Sequence, residues 1–449
     1  MKFRLLFLLL IALMLLLCSC ESPEGVSPNS SYKTVNLNVY NWGEYISDED
    51  DEECGLFDVN AGFEEYFNEN LADKYGFYVK VNYSTYATNE DMYAKLSNSA
   101  VAYDIVIPSD YMIQKMIAND MLVELDFDLL TNYGNINDDF KGLYYDPDNK
   151  FSVPYTYGML GVIYNSEFVD EADVADESWA LLWNEKYSGK ILQFNNPRDA
   201  FGTAMYWKNL DINSHDYAVW DDALELLKEQ KPILQGYVND EIFNKMKGAS
   251  AYIAPYFAGD FLTMAADNED LRFYYPREGT NYFVDAMCIP KTSQNQEVAH
   301  EYINYMIGLE AATANALYIG YASPNSAVTE SEYYAEMLSY NYDTDAISAW
   351  DILYGKTKDE ANANYSYNPA YEDYYKDSES GIDVQSHVTA LWESLKTENS
   401  TELWIHVTSI SIVAGVLGFA IYSVYIRKKR SKFYRDRDRE LKKQRQMKK

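Results

Sequence analysis

Basic residues, cysteine and histidine are scarce in this chain, and each shortage removes a class of function. Only 37 Lys and Arg stand against 70 Asp and Glu in 449 residues, and 13 of those basic residues lie after position 426. An acidic body of this kind argues against nucleic acid as a partner, because phosphate recognition needs clustered positive charge. It is compatible with a cationic ligand, although a charged surface also serves solvation alone. Of the four cysteines, Cys18 and Cys20 end an N-terminal apolar run. Cys54 and Cys288 are far apart, with no CxxC and no Cys/His cluster, so a zinc site is not indicated. They are open to two readings, one disulfide in an oxidising exterior or two free thiols. The four histidines are scattered, which argues against a transition-metal centre. P-loop, GxGxxG and GxSxG motifs are all absent, and no cofactor is implied.

What is present divides the chain into a body and two anchors. Residues 1–4 form a short basic region containing Lys2 and Arg4, and residues 5–17 are an apolar run of the length of a signal-peptide core. The sequence LCSC at 17–20 resembles the lipobox of bacterial lipoproteins. That resemblance implies a signal peptide at 1–20 and a lipid on Cys20, the alternative being an uncleaved anchor helix. Residues 21–33, with two prolines and several serines, read as a flexible tether. Near the other end, residues 404–426 are apolar with no Asp, Glu, Lys or Arg. As a helix they would span roughly 33 Å, enough to cross a bilayer. Trp404 marks one interface, and Tyr422 and Tyr425 mark the other. The run RKKR at 427–430 opens a basic tail over 427–449, which the positive-inside rule assigns to the cytoplasm.

The body, residues 32–398, is too long for one simple core and suggests two lobes. Strand-like and helix-like stretches alternate: strands at 35–39, 77–83, 103–108 and 191–194, and helices at 89–98, after 111 and from Asp199. Residues 151–165 hold a strand, then Gly158, then an apolar run. That alternation predicts α/β lobes with mostly parallel sheets. Ser109 or Asp110 is expected to cap the helix that follows and to leave N–H groups facing a ligand. Residues 48–53 read as a solvated acidic loop and 340–377 as an irregular insertion. The segment YNWGEY at 40–45 closes the first strand and places two aromatics and a carboxylate at its carboxyl end, where ligands bind in open α/β sheets. Aromatic faces beside a carboxylate suit an organic cation.

These residues fit a known pattern. VYNWGEY (39–45), STYATNEDMYAKL (84–96), YDIVIPS (103–109), VPY (153–155), SWALLW (178–183), NPRDAF (196–201) and IGYASPN (319–325) keep order and spacing over about 300 residues. On them the chain resembles the spermidine/putrescine-binding proteins that serve bacterial ABC importers. The resemblance implies a two-lobed α/β fold of the type II periplasmic-binding-protein kind, with the ligand in a cleft between lobes. The first lobe would comprise 34–157 and 285–320, and the second 158–284 and 321–398. The C-terminal helix over 404–426 is outside the family pattern. A polyamine and the ABC permease subunits are the implied partners, and a membrane-anchored monomer facing outward is the implied state.

Carried over residue by residue, the resemblance implies that Trp42 and Tyr45 wall the ligand's methylene chain and that Glu44 accepts from an ammonium. Ser109 and Tyr111 would line the first lobe, and Asn196 and Asp199 the second. Tyr256 and Phe283 stand where relatives often carry tryptophan. Asp285 would pair with a terminal ammonium, and Tyr321 would close one side. Spermidine-binding relatives commonly carry aspartate at the place of Asn196, so fewer ligand charges are expected at that end. Two other classes stay in view. A membrane-tethered polyamine receptor would signal through the C-terminal helix. A surface glycosidase would use two of Glu44, Asp199 and Asp285 as a carboxylate pair about 5–10 Å apart. The reading favoured is a non-enzymatic binding subunit.

Overall fold

The computed structural model describes residues 31–355 and 384–397, apart from 52, 99–101 and 345. Cys20 and the segments at 1–30, 404–426 and 427–449 lie outside the described residues. Among the described residues, no helix is long and apolar enough to cross a membrane.

Among the described residues nine strands form the framework: β1 Lys33–Trp42, β2 Phe77–Tyr86, β3 Ile105–Val106, β4 Ser152–Asn165, β5 Ile191–Phe194, β6 Leu234–Val238, β7 Ile253–Phe257, β8 Leu271–Tyr274 and β9 Tyr282–Cys288. Their order is β2-β1-β3-β9-β4-β7-β5-β6, with β8 on β4. Strand β1 pairs with β2 in parallel over its whole length, from Lys33↔Phe77 to Trp42↔Tyr86. Parallel neighbours need a crossover, and here it includes α1, Val59–Asn70. The Asp58 carboxylate caps α1 by accepting from the Ala61 N–H at 2.9 Å. Val59, Phe63 and Phe67, spaced four apart, are its buried face. Burying each such side chain contributes roughly 1.5–3 kcal/mol, so the stripe outweighs any propensity term.

Strand β4 is the longest element of the sheet and joins its two halves. Its first part pairs antiparallel with β9, from Ser152↔Cys288 to Met159↔Tyr282. Its second part pairs antiparallel with β7, from Leu160↔Phe257 to Tyr164↔Ile253, and with β8. Gly158 does not interrupt it. It lies where an added Cβ would come within 2.9 Å of the Phe283 ring, and the absence of a side chain lets β9 pack there. The sheet therefore departs from the mostly parallel expectation. Parallel pairs (β1/β2, β1/β3, β5/β6, β5/β7) are matched by antiparallel ones (β3/β9, β4/β9, β4/β7, β4/β8). The reason is that β4 and β9 run in opposite directions through the middle. A third stretch joins them there, with the Tyr157 N–H donating to the Ala322 carbonyl at 3.0 Å.

The helices that bear on the site are α2 Asn89–Asn98, α3 Asp110–Ala118, α4 Pro197–Trp207, α5 Tyr217–Gln230, α6 Ala258–Asp267, α7 Glu332–Tyr342, α8 Ala349–Tyr354 and α9 Val384–Thr397. Helix α4 starts at Pro197, two residues before the expected Asp199. Helix α8 falls within the stretch expected to be irregular, and α7 ends inside it. The Ser348 side chain caps α8 at the Asp351 N–H, and Ala349 and Leu353 are buried, a helical spacing that the Tyr-, Asp- and Asn-rich composition masks. Helix α9 lays Val388, Trp392 and Leu395 against α5, with Trp392 edge-on to Tyr237 of β6 at 5.3 Å.

Candidate ligand-binding cleft

The carboxyl ends of β1, β2, β3, β5, β6 and β7 open on one cavity of about 180 Å³, floored by β9 and Tyr321. This is where ligands bind in open α/β sheets. All the residues singled out from the sequence reach it: Trp42, Glu44, Tyr45, Ser109, Tyr111, Asn196, Asp199, Tyr256, Phe283, Asp285 and Tyr321.

Asp285 is the most constrained of them. It is buried in the wholly buried strand β9. The Tyr45 hydroxyl donates to its Oδ2 at 2.6 Å, and Thr156 lies 2.6 Å from the same hydroxyl oxygen. With the tyrosine proton spent on the carboxylate, the threonine is the donor. Oδ1 has no hydrogen-bond partner among the described residues. Burial pushes the Asp285 carboxyl up to about 7, with the Ser109 and Tyr45 hydroxyls holding back part of the rise. A buried carboxylate with one open oxygen is a strong site for a donor cation.

From Tyr45 an aromatic line runs across the floor. Tyr45 is edge-on to Tyr321 at 5.4 Å, Tyr321 to Phe283 at 6.0 Å, and Phe283 to Phe257 at 5.4 Å. Next to Tyr45 in that line, the Tyr321 hydroxyl donates to Asp260 Oδ2 at 2.8 Å, and burial pushes that carboxyl up to about 7 as well. Two carboxylates, each held by a tyrosine, thus face one apolar strip.

The remaining walls are fixed by local hydrogen bonds. Trp42 Nε1 donates to the Ile107 carbonyl at 3.0 Å, and its ring packs on Tyr86 at 4.6 Å. Glu44 is exposed, with φ of 51°, a left-handed conformation uncommon outside glycine. Its carboxylate accepts from the Tyr318 hydroxyl at 3.3 Å. The Tyr111 hydroxyl donates to Glu90 Oε1 at 3.0 Å and accepts from Asn89 Nδ2 at 3.0 Å. Tyr256 is buried and stacked on Phe194 at 5.5 Å, while its neighbour Phe257 is only half-buried.

One local expectation needs correction. Ser109 stands at the cap position of α3 but its side chain makes no capping bond. It accepts from Asn89 Nδ2 at 3.1 Å instead. The Tyr111 N–H is taken by Asp110 Oδ1 at 2.7 Å, and Met112 and Ile113 donate to the Ser109 carbonyl, so these N–H groups of the first turn are already committed. Asn196, expected beside Asp199 on the second-lobe side, lines the cavity and is also a cap. Its Oδ1 accepts from the Asp199 N–H at 2.9 Å, and its Nδ2 donates to Asp199 Oδ2 at 3.0 Å. It orients the Asp199 carboxylate, whose pKa burial raises against the opposing effect of Arg198.

Residues that the sequence reading passed over also line the cavity: Glu90, Arg198, Asp240, Phe243, Phe257 and Asp260. The strand-end argument that found Glu44 reaches Asp240 and Asp260 too, two residues past β6 and three past β7. Cys54 and Cys288 are unpaired. Among the described residues, no cluster of His, Cys, Asp and Glu is suited to a metal ion.

The family model for the bacterial extracellular solute-binding proteins matches residues 102–345, a stretch that includes β3 to β9 and most of the cleft. The chain belongs to that family. It is 28% identical over 358 residues to the spermidine/putrescine-binding periplasmic protein of Escherichia coli, covering 80% of this chain and 95% of that one. It is 30% identical over 304 residues to the protein of the same description from Salmonella typhimurium, covering 68% and 81%. Among solved structures, a putative spermidine/putrescine ABC transporter from Listeria monocytogenes superposes with a TM-score of 0.65 at 30% identity, covering 81% of this chain and 99% of that one. As a solute-binding protein the chain has the periplasmic-binding-protein-like α/β fold, with a carboxylate-rich cleft at the strand ends.

Proposed function

We propose that this chain is the extracytoplasmic subunit that captures a polyamine and delivers it to an ABC importer. The observation that carries this is the pairing of Asp285 with Tyr45 and of Asp260 with Tyr321, two separate carboxylates held by neighbouring rings of one aromatic floor. A polyamine has charges separated by methylenes. It needs carboxylates at separate points and apolar surface between them, and the cleft offers both. Glu44, Glu90, Asp199 and Asp240 add further negative charge at the rim. In this reading Trp42, Tyr45, Phe283 and Tyr321 cover the methylenes, Asp285 takes one terminal ammonium, and Asp199 and Asp260 serve the other end. Ser109, Tyr111 and Tyr256 shape the walls. Asn196 acts through Asp199. Because Asp240 and Asp260 supply charge in the same half, a preference for putrescine does not follow from Asn196 alone.

The same reading takes the two halves of the sheet as two lobes, 34–157 with 285–320 and 158–284 with 321–398, that close on the ligand. It takes the protein as a monomer held at the membrane by a lipid on Cys20 and by a spanning helix at 404–426, for which the support is the sequence alone. Calorimetric titration of the detergent-solubilised full-length chain with putrescine, spermidine and spermine tests the reading. Saturable binding of at least one, without turnover, is expected. No binding of any of the three would overturn it.

A further inference from the structure

One residue runs against the charge pattern of the cleft. Arg198 is the single Lys or Arg among the described residues that line the cavity, against the carboxylates of Glu44, Glu90, Asp199, Asp240, Asp260 and Asp285. It stands on α4, which follows β5, yet its guanidinium lies over the ring of Tyr111 on α3, which follows β3, with Cζ 3.9 Å from the ring centroid. Tyr111 is itself fixed by Asn89 and Glu90. The contact therefore runs from one wall of the cleft to the other between anchored partners. Burial raises the carboxyls of Asp110, Asp199 and Asp285, and the guanidinium holds back part of each rise, so its charge reaches both walls and the floor.

A guanidinium is permanently charged, planar and suited to aromatic faces. In chemical terms the protein has placed an organic cation of its own inside a site for organic cations. Resting on the polyamine reading above, we propose that Arg198 determines how many ligand charges the cleft accepts. It takes the place of one further ammonium between Tyr111 and the carboxylates of Asp199 and Asp285, and so favours the shorter, less charged polyamines. Its stacking also ties the two walls together. Losing the tie weakens every ligand alike and cancels in a ratio of affinities, whereas losing the charge changes the ratio.

The test is calorimetric titration of the full-length chain and of Arg198→Gln, Arg198→Met and Arg198→Lys with putrescine, spermidine and spermine. The neutral variants are expected to raise the affinity for spermine relative to putrescine about tenfold, the scale of one charge-assisted contact. Arg198→Lys is expected to restore the wild-type ratio while binding both ligands more weakly, because it keeps the charge and loses the planar stack. A ratio that stays within about twofold in Arg198→Gln and Arg198→Met, on the same scale, overturns the role. So does a wild-type protein that binds spermine at least about tenfold more tightly than spermidine, a result that needs no variant to fold. A wild-type protein that binds none of the three instead overturns the polyamine reading itself.

Discussion

Asp285 concentrates most of the cleft's chemistry in one side chain. Substituting Asp285→Asn keeps the shape and removes the charge. Ligand affinity is expected to fall by about 2–4 kcal/mol, roughly 30-fold to 1000-fold, since the ammonium then sits buried without its partner. Unchanged affinity in a titration would refute the assignment. Acidity follows from the same residue. Burial raises the carboxyls of Asp285 and Asp260 to about 7 in the folded protein, above the ordinary carboxylate range near 4. In the empty protein these groups favour folding below their unfolded pKa, and that contribution is lost as pH rises through about 7. A cationic ligand selects the ionised form, so binding expels protons and affinity falls as pH drops from 8 to 6. Titrations at pH 6.5 in buffers of different ionisation enthalpy should detect proton release. Release in the wild type that persists unchanged in Asp285→Asn would assign it elsewhere.

At the scale of elements, the site depends on how α4 begins. Asn196 and Asp199 satisfy each other across the first turn, which fixes the helix start and the direction of the carboxylate. Asn196→Ala removes both bonds and is expected to lower stability by about 1 kcal/mol, the usual value of an N-cap, and to weaken ligand binding through Asp199. Asn196→Asp keeps the cap acceptor but sets a second carboxyl against Asp199 Oδ2 in place of the Nδ2 donor. It is therefore expected to melt below the wild type at neutral pH and to recover as pH falls. Melting curves of the two variants distinguish the roles, because a residue that only met the ligand would leave the Asn196→Ala melt unmoved. The crossing strands are the other element that matters. Strand β4 carries Thr156 to Tyr45 and shares its register with β9 at Asp285, so the floor of the cleft and the join between halves are the same backbone.

For the whole molecule, the open question is how it is held. A single lipid chain gives only marginal membrane attachment, whereas a spanning helix is effectively irreversible. If both anchors at Cys20 and 404–426 are in place, protease added to intact cells should remove the body and leave the basic tail of 427–449 intact. Mass spectrometry of the mature N-terminus should find a lipidated Cys20. Digestion of the tail from outside would refute the topology.

Much of this protein is legible without coordinates. The strand-end segment of residues 40–45, the helix at 89–98 and the carboxylate on an apolar strand at Asp285 all follow from local pattern, because side-chain periodicity and the cost of burying charge act over a few residues. The family match supplied the remaining site residues, and all of them line one cleft. Other features were decided only by tertiary structure. Whether β4 ran parallel or antiparallel depended on partners such as Phe257 and Cys288, far away in sequence. That Asp260 meets Tyr321 and that Arg198 crosses to Tyr111 are contacts between segments brought together by folding. Hydrogen bonds and stacking act over a few ångströms in space, and a linear sequence carries no distance between residues that its fold makes neighbours.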